Sequence, residues 1–167
     1  DNAGDVTITI NNGYTDAALT VDGSAQDMNS ITLTNEERLT LTSNDVNVAL
    51  TVLGGAGADS ITTNAGLDHI TAGGGADSIA TGDGADTIYG GDGVDAIRGE
   101  GGTDFIDAGA GNDVITVDDF SDFQTSGGVE TVKGGAGTDT LSFTEDLALD
   151  VSAPELEHLY GIEVISL

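Results

Sequence analysis

Residues 73–99 read GGGADSIATGDGADTIYGGDGVDAIRG, with an aspartate at 77, 86 and 95 and an isoleucine two places after each. Gly75, Gly84 and Gly93 stand two places before those aspartates. Glycine opens positive φ and so permits tight turns. The aliphatic after each carboxylate wants to be buried. A carboxylate every nine residues, between a turn and a buried side chain, points to a stacked repeat whose turns collect a cation.

The period extends in both directions from this stretch. From Gly54 the chain divides into GGAGADSIT, TNAGLDHIT, AGGGADSIA, TGDGADTIY, GGDGVDAIR, GEGGTDFID and AGAGNDVIT, without a gap to Thr116. The fourth place is always glycine, the sixth aspartate and the eighth isoleucine. VDDFSDFQ (117–124) then shifts the phase by eight residues before TSGGVETVK (125–133) and GGAGTDTLS (134–142) resume it. A last echo, HLYGIEVIS (158–166), keeps Gly161, Glu163 and Ile165 but not the small turn residues, and reads as a capping strand.

Within a unit, the glycine-rich first six places form a turn that can aim backbone carbonyls inward, and the sixth adds a carboxylate. Places seven to nine predict a strand of about three residues, whose middle residue faces opposite to its neighbours. Ile61, Ile70 and Ile79 then face in, while Ser60, His69, Arg98 and Phe105 face out. Two units make one coil, and coils stack about 4.8 Å apart. Asp59, Asp77, Asp95 and Asp113 fall on one edge, and Asp68, Asp86 and Asp104 on the other.

Carboxylates about 5 Å apart repel by about 1 kcal/mol in water and about 3 kcal/mol at an effective dielectric of 20. A hard cation between adjacent turns reverses that sign. Ligand sets made only of oxygen, six or more to a site, suit calcium better than zinc or copper. Magnesium dehydrates too reluctantly for a cage built mostly of protein.

Composition agrees. Thirty acidic residues against three basic ones give a formal charge of −27, which argues against nucleic acid and anionic membrane surfaces. With 26 glycines and few aromatics, such a chain sits near the disordered class until its charge is neutralised. Cysteine is absent, so no disulfide holds the fold. No apolar run approaches about 18 residues, and no signal peptide is visible. The start at Asp1, without methionine, predicts excision from a longer protein.

The N-terminal third alternates apolar and polar residues at period two in VTITI (6–10), ALTV (18–21), ITLT (31–34), LTLT (39–42) and VNVALTV (46–52). Turn-forming clusters separate these runs, so a strand-rich lead-in is expected. Asp16, Asp22 and Asp45 there read as ordinary turn and strand chemistry. Pro154 marks a loop or a single helical turn. His69 and His158 stand without partner clusters and read as surface or packing residues. No GxSxG elbow or thiol nucleophile is present, and the paired carboxylates belong to the ladder, so no enzyme is expected.

The unit resembles the GGxGxDxUx nonapeptide of the RTX (hemolysin-type calcium-binding) family. The resemblance covers 54–142 and implies an all-β, calcium-stabilised parallel β-roll, a right-handed β-helix solenoid. The expected organisation is a β-strand-rich N-terminal lead-in at 1–53, the roll at 54–142 with its insertion at 117–124, and a short C-terminal cap at 143–167. The implied ligands are the carboxylates of Asp59, Asp68, Asp77, Asp86, Asp95, Asp104, Asp113 and Asp139, with Glu130 replacing one aspartate. Turn carbonyls complete each set, chiefly those of the first and third places. On one edge these are Gly54 and Ala56, Ala72 and Gly74, Gly90 and Asp92, and Ala108 and Ala110. On the other they are Thr63 and Ala65, Thr81 and Asp83, and Gly99 and Gly101.

Pairing adjacent turns predicts about five Ca2+ sites, and two more if 117–124 bulges out so that 125 stacks on 99 and 134 on 108. The family also implies a bacterial protein exported by a type I system that folds outside the cell. Threonine-rich ITLTNEERLTLT and the closing GIEVISL resemble segments of surface-layer and adhesin proteins. The expectation is therefore a calcium-binding structural module of a secreted cell-surface protein. Its partners are calcium ions, together with neighbouring copies or other surface components. The alternative is an accessory module of an exported metalloprotease, lipase or epimerase. An ice-binding face is disfavoured because the turns carry no ranks of threonine and asparagine.

Overall fold

The structure is a computed structural model that describes residues 49–117, 130–144 and 158–166, together with the backbone of strands at 7–10, 16–21, 30–33 and 38–43. Those four strands are β1 (Thr7–Ile10), β2 (Asp16–Val21), β3 (Ser30–Leu33) and β4 (Arg38–Ser43). The repeats supply β5 (Thr51–Gly55), β6 (Ser60–Thr62), β7 (His69–Gly74), β8 (Ser78–Ala80), β9 (Thr87–Asp92), β10 (Ala96–Arg98), β11 (Phe105–Gly111) and β12 (Val114–Val117). After the phase shift come β13 (Thr131–Gly137), β14 (Thr140–Phe143), β15 (Leu159–Tyr160) and β16 (Val164–Ser166).

Odd-numbered strands form one eight-stranded sheet and even-numbered strands another, each in chain order. Every pairing is parallel, with Ile61 beside Ile79, Ile79 beside Ile97 and Ile97 beside Ile115. The fold is therefore a parallel β-roll. Its core is the eighth-place ladder, Ile61, Ile70, Ile79, Ile88, Ile97, Ile106 and Ile115, none more than 2% exposed. Val132 and Leu141 continue it after the phase shift. A repeat of small turns and one aliphatic per strand can bury little else, so alternation within each short strand does most of the sorting.

The register resumes after the insertion: Ile106 pairs with Val132 and Gly109 with Gly135, so 134 stacks on 108. Residues 118–129 lie outside the described part of the chain, as do Asp22, Asp45 and Pro154.

Two expectations change. Among the described residues, strands of three residues occur only in the even sheet, at β6, β8, β10 and β16, whereas β7 and β9 have six residues and β11 and β13 have seven. The reason lies in the turns that follow. After odd strands the second turn place is always glycine, as at Gly91 with φ 112, and the backbone stays paired through the start of the turn. After even strands that place is Asn64, Gly82 or Glu100, and Gly82 and Glu100 turn left-handed, with φ of 87 and 64, so the ladder stops before the turn whether or not the residue is glycine. The second change is at the C-terminus. The echo at 158–166 is two strands rather than one, β15 extending the odd sheet and β16 the even sheet.

On the outer face of the odd sheet, His69 meets Tyr89 edge-on at 5.7 Å between ring centroids, and Tyr89 meets Phe105 at 5.8 Å. Lys133 lies 4.6 Å above the Phe105 ring and 3.7 Å from Asp107. These are cross-strand contacts that knit coils together from outside.

Candidate metal centre

The turns after odd strands form edge A (54–59, 72–77, 90–95, 108–113, 134–139) and those after even strands form edge B (63–68, 81–86, 99–104). Stacking demands close approach. A Cβ on Gly93, whose φ is 147, would overlap the carbonyl oxygen of Gly75 in the neighbouring coil. The fourth-place glycine is thus required by the distance between coils as well as by the turn.

That approach aligns the aspartates. Asp77 Oδ1 accepts the backbone N–H of Asp59 at 2.7 Å, Asp95 Oδ1 that of Asp77 at 2.9 Å, and Asp113 Oδ1 that of Asp95 at 2.9 Å. Across the phase shift Asp139 Oδ1 accepts from Asp113 at 2.9 Å, and Glu163 Oε2 accepts from Asp139 at 2.8 Å. On edge B, Asp68, Asp86 and Asp104 accept from Leu50, Asp68 and Asp86 at 2.8, 2.8 and 2.9 Å. Every sixth-place aspartate is buried, and Glu130 is buried in register with Asp104.

One oxygen of each of Asp68, Asp77, Asp86, Asp95, Asp113 and Asp139 is therefore spent on the neighbouring coil, and the other is not. Oδ2 of Asp68, Asp77, Asp86, Asp95, Asp113 and Asp139 is buried and accepts no hydrogen bond. A buried polar atom without a partner carries a full desolvation cost. Burial accordingly pushes the Asp77 carboxyl up to about 7, aided by the Asp59 and Asp95 charges, and that of Asp86 to about 6. Asp68, Asp95 and Asp113 move in the same direction for the same first cause. Ranks of buried, unsatisfied, anionic oxygens at one-coil intervals fit a hard divalent cation, which would supply the missing charge and accept the second oxygen of each carboxylate as a ligand.

The carbonyl candidates divide by place. First-place residues Gly54, Thr63, Ala72, Thr81, Gly90, Gly99 and Ala108 are all buried, on the carboxylate side of the turn. A Cβ at Gly54 or Gly90 would run into its own turn's Asp59 or Asp95 Oδ2 and into the Ala72 or Ala108 carbonyl of the next coil. Third-place residues Ala56, Ala65, Gly74, Asp83, Asp92, Gly101 and Ala110 are half-buried or exposed. Carbonyls of Asp83, Asp92, Gly101 and Ala110 each accept a fourth-place N–H, from Gly66, Gly75, Gly84 and Gly93 respectively, at 2.6–2.9 Å. A carbonyl has a second lone pair, so this use leaves room for a ligand role.

Sequence reasoning missed the hydroxyls. Thr63 Oγ1 donates to the Thr81 carbonyl at 2.9 Å, and Thr81 Oγ1 to the Gly99 carbonyl at 3.0 Å. The signal was present, since threonine replaces glycine or alanine at these two first places. Glu163 was read only as part of a cap, yet it extends the carboxylate ladder by one coil.

The profile of the RTX calcium-binding nonapeptide repeat matches the chain in four copies, at residues 53–88, 80–115, 89–123 and 124–142. No curated protein and no solved structure matches it.

Proposed function

The chain belongs to the RTX calcium-binding nonapeptide-repeat family, and from that premise we propose that it is the calcium-ordered structural segment of a bacterial cell-surface protein. The family makes it a calcium-binding module of the kind that occurs in secreted bacterial proteins, with calcium as its partner. The repeat region is structural rather than catalytic. The proposal adds the surface-layer or adhesin setting, export by a type I system and the division into lead-in (1–53), roll (54–142) and cap (143–167). It also adds ligand roles for the sixth-place carboxylates and turn carbonyls, in five to seven sites.

One observation carries the reading: the buried Oδ2 atoms of Asp68, Asp77, Asp86, Asp95, Asp113 and Asp139, which accept no hydrogen bond. Support for a structural role comes from strands on both sides of the repeats. β1 to β4 and β15 to β16 pair into the same two sheets, so the molecule is a solenoid along its described length. The alternative, an accessory module beside an exported catalytic domain, would use the same sites.

Function then follows from linkage. Ions that bind only the folded chain stabilise it in proportion to the logarithm of their concentration. Extracellular calcium modules bind with dissociation constants of about 0.1 to 1 mM. The chain would stay open where calcium is scarce and order where it is plentiful. A calcium titration from EDTA, followed by circular dichroism, tests this. A cooperative gain of β-signal is expected, with magnesium ineffective and Asp77→Ala/Asp95→Ala shifted to higher calcium. A chain fully ordered in EDTA and indifferent to calcium would refute it.

A further inference from the structure

The nonapeptide profile ends at residue 142, and Tyr160, Gly161, Ile162 and Glu163 lie beyond it. Counted by nines, Gly161 is a fourth-place glycine. The strands place it otherwise, because Lys133 pairs with Tyr160 and Thr140 with Val164. Gly161 therefore stacks beside the first-place Gly134, and Glu163 beside the sixth-place Asp139. Ile162 alone spans what residues 135–138 span in the coil before. A positive φ of 62 at Gly161 makes so short a turn possible. Glutamate is a methylene longer than aspartate, and Glu163 Oε2 reaches back to accept the Asp139 amide N–H at 2.8 Å.

The space beside Gly134 then repeats that beside Gly54 and Gly90. In each, Oδ2 of the turn's own aspartate and a carbonyl oxygen of the next coil converge where a Cβ would sit. The pairs are Asp59 with Ala72, Asp95 with Ala108, and Asp139 with Gly161. Asp139 is 0% exposed; its Oδ1 accepts the Asp113 amide N–H, and its Oδ2 accepts no hydrogen bond.

Resting on the calcium reading above, we infer that Asp139, Gly161 and Glu163 make a further calcium site, outside the repeats, that fastens β15 and β16 to the roll. Asp139 supplies its buried Oδ2, Gly161 its carbonyl and Glu163 the charge of a second carboxylate. A pair of carboxylates with a carbonyl is a donor set for a hard divalent cation. Gly161 and Glu163 are exposed, so water can complete the six or more ligands that calcium takes. Without an ion, the buried Asp139 oxygen faces a carbonyl dipole and a second carboxylate of like sign, which opposes docking of the last coil. With one, the same groups attract. The last coil has little else to hold it: β15 pairs over two residues, and Ile165, the end of the isoleucine ladder, is 41% exposed. Its closure onto the roll therefore depends on calcium.

Glu163→Gln separates this role from a merely structural one. Glutamine keeps an oxygen that accepts the Asp139 amide N–H but removes the charge an ion needs, and it does so at an exposed end of the roll. Equilibrium dialysis of the full chain, at free calcium that just fills the native sequence, counts bound ions. Hydrogen exchange at the amides of Val164, Ile165 and Ser166 follows opening of the last coil. Glu163→Gln should bind a single ion fewer per chain. At free calcium about ten times the site's dissociation constant, the ion should slow exchange at those amides about tenfold in the native chain, and the variant should lose that slowing. Equal ion counts overturn the inference, because the last coil would then dock through strand pairing and the hydrogen bond alone. Loss of several ions also overturns it, since the effect would lie in the roll rather than at its end. Exchange that stays slow after the ion is lost overturns the fastening role. A native chain that binds no calcium at all would sink the functional reading itself, and is told apart because the native count is then zero.

Discussion

At Asp77 the two carboxylate oxygens have different fates. Oδ1 is fastened to the amide of Asp59, and Oδ2 is buried without a donor. A carboxyl raised from 3.8 to about 7 by folding stabilises the fold fully below pH 3.8, and that contribution is lost as pH rises through about 7. In EDTA the residual folded population, read by its β-signal, should therefore be larger at pH 5 than at pH 8. In saturating calcium the order reverses, because protons compete with the ion for the same oxygens. Circular dichroism in EDTA and melting curves in calcium, each at the two pH values, check both signs. Glycine makes a second residue-scale prediction. Gly93→Ala places a Cβ against the Gly75 carbonyl at φ 147, and should cost about 2 kcal/mol or more. Gly74→Ala meets only ordinary contacts, the nearest at 3.7 Å, and should stay within about 1 kcal/mol of neutral in the same denaturation assay.

Among the elements, the difference between three-residue and six-residue strands traces to one turn position. Gly91 lets the backbone remain paired from β9 into edge A, whereas Glu100 bears a left-handed φ of 64 in edge B. Glu100→Gly should relieve that strain and stabilise the chain by about 1 kcal/mol, read as a higher urea midpoint in calcium. The core makes the opposite kind of prediction. Ile97, 1% exposed between Ile79 and Ile115, should cost about 2–5 kcal/mol as Ile97→Ala, because the stacked coils on either side hold the cavity open. The alternation of inward isoleucine with outward Ala96 and Arg98 was legible from the repeat alone. The unequal strand lengths were not, because they depend on the backbone conformation the second place takes once coils stack, and a glycine at 82 does not by itself reveal it.

For the molecule as a whole, charge and topology act together. A formal charge of −27 opposes compaction, and the parallel sheets place the aspartates of each edge in single file. Calcium should convert an expanded chain into a compact one. Scattering should register a fall in radius of gyration from about 43 Å, for an unfolded chain of this length, towards the roughly 15 Å of a compact one. An elongated solenoid would settle somewhat above the lower value. A radius unchanged between EDTA and 10 mM calcium, an addition on the order of ten times the weakest constants expected of extracellular sites, would mean that the isoleucine ladder alone holds the roll.

The nine-residue period determined by itself the all-β roll, the isoleucine core, the grouping of aspartates by edge and the oxygen chemistry that selects calcium. Those properties depend on one unit and its translation, so they survive being read one residue at a time. The tertiary structure decided what depends on two coils at once. It showed that the ladder aspartates from Asp68 onward each spend one oxygen on an amide of the preceding coil, that the chain from Thr131 rejoins the same register, and that Glu163 carries the ladder one coil further. A threonine hydroxyl likewise matters only through the carbonyl that stacking places within its reach.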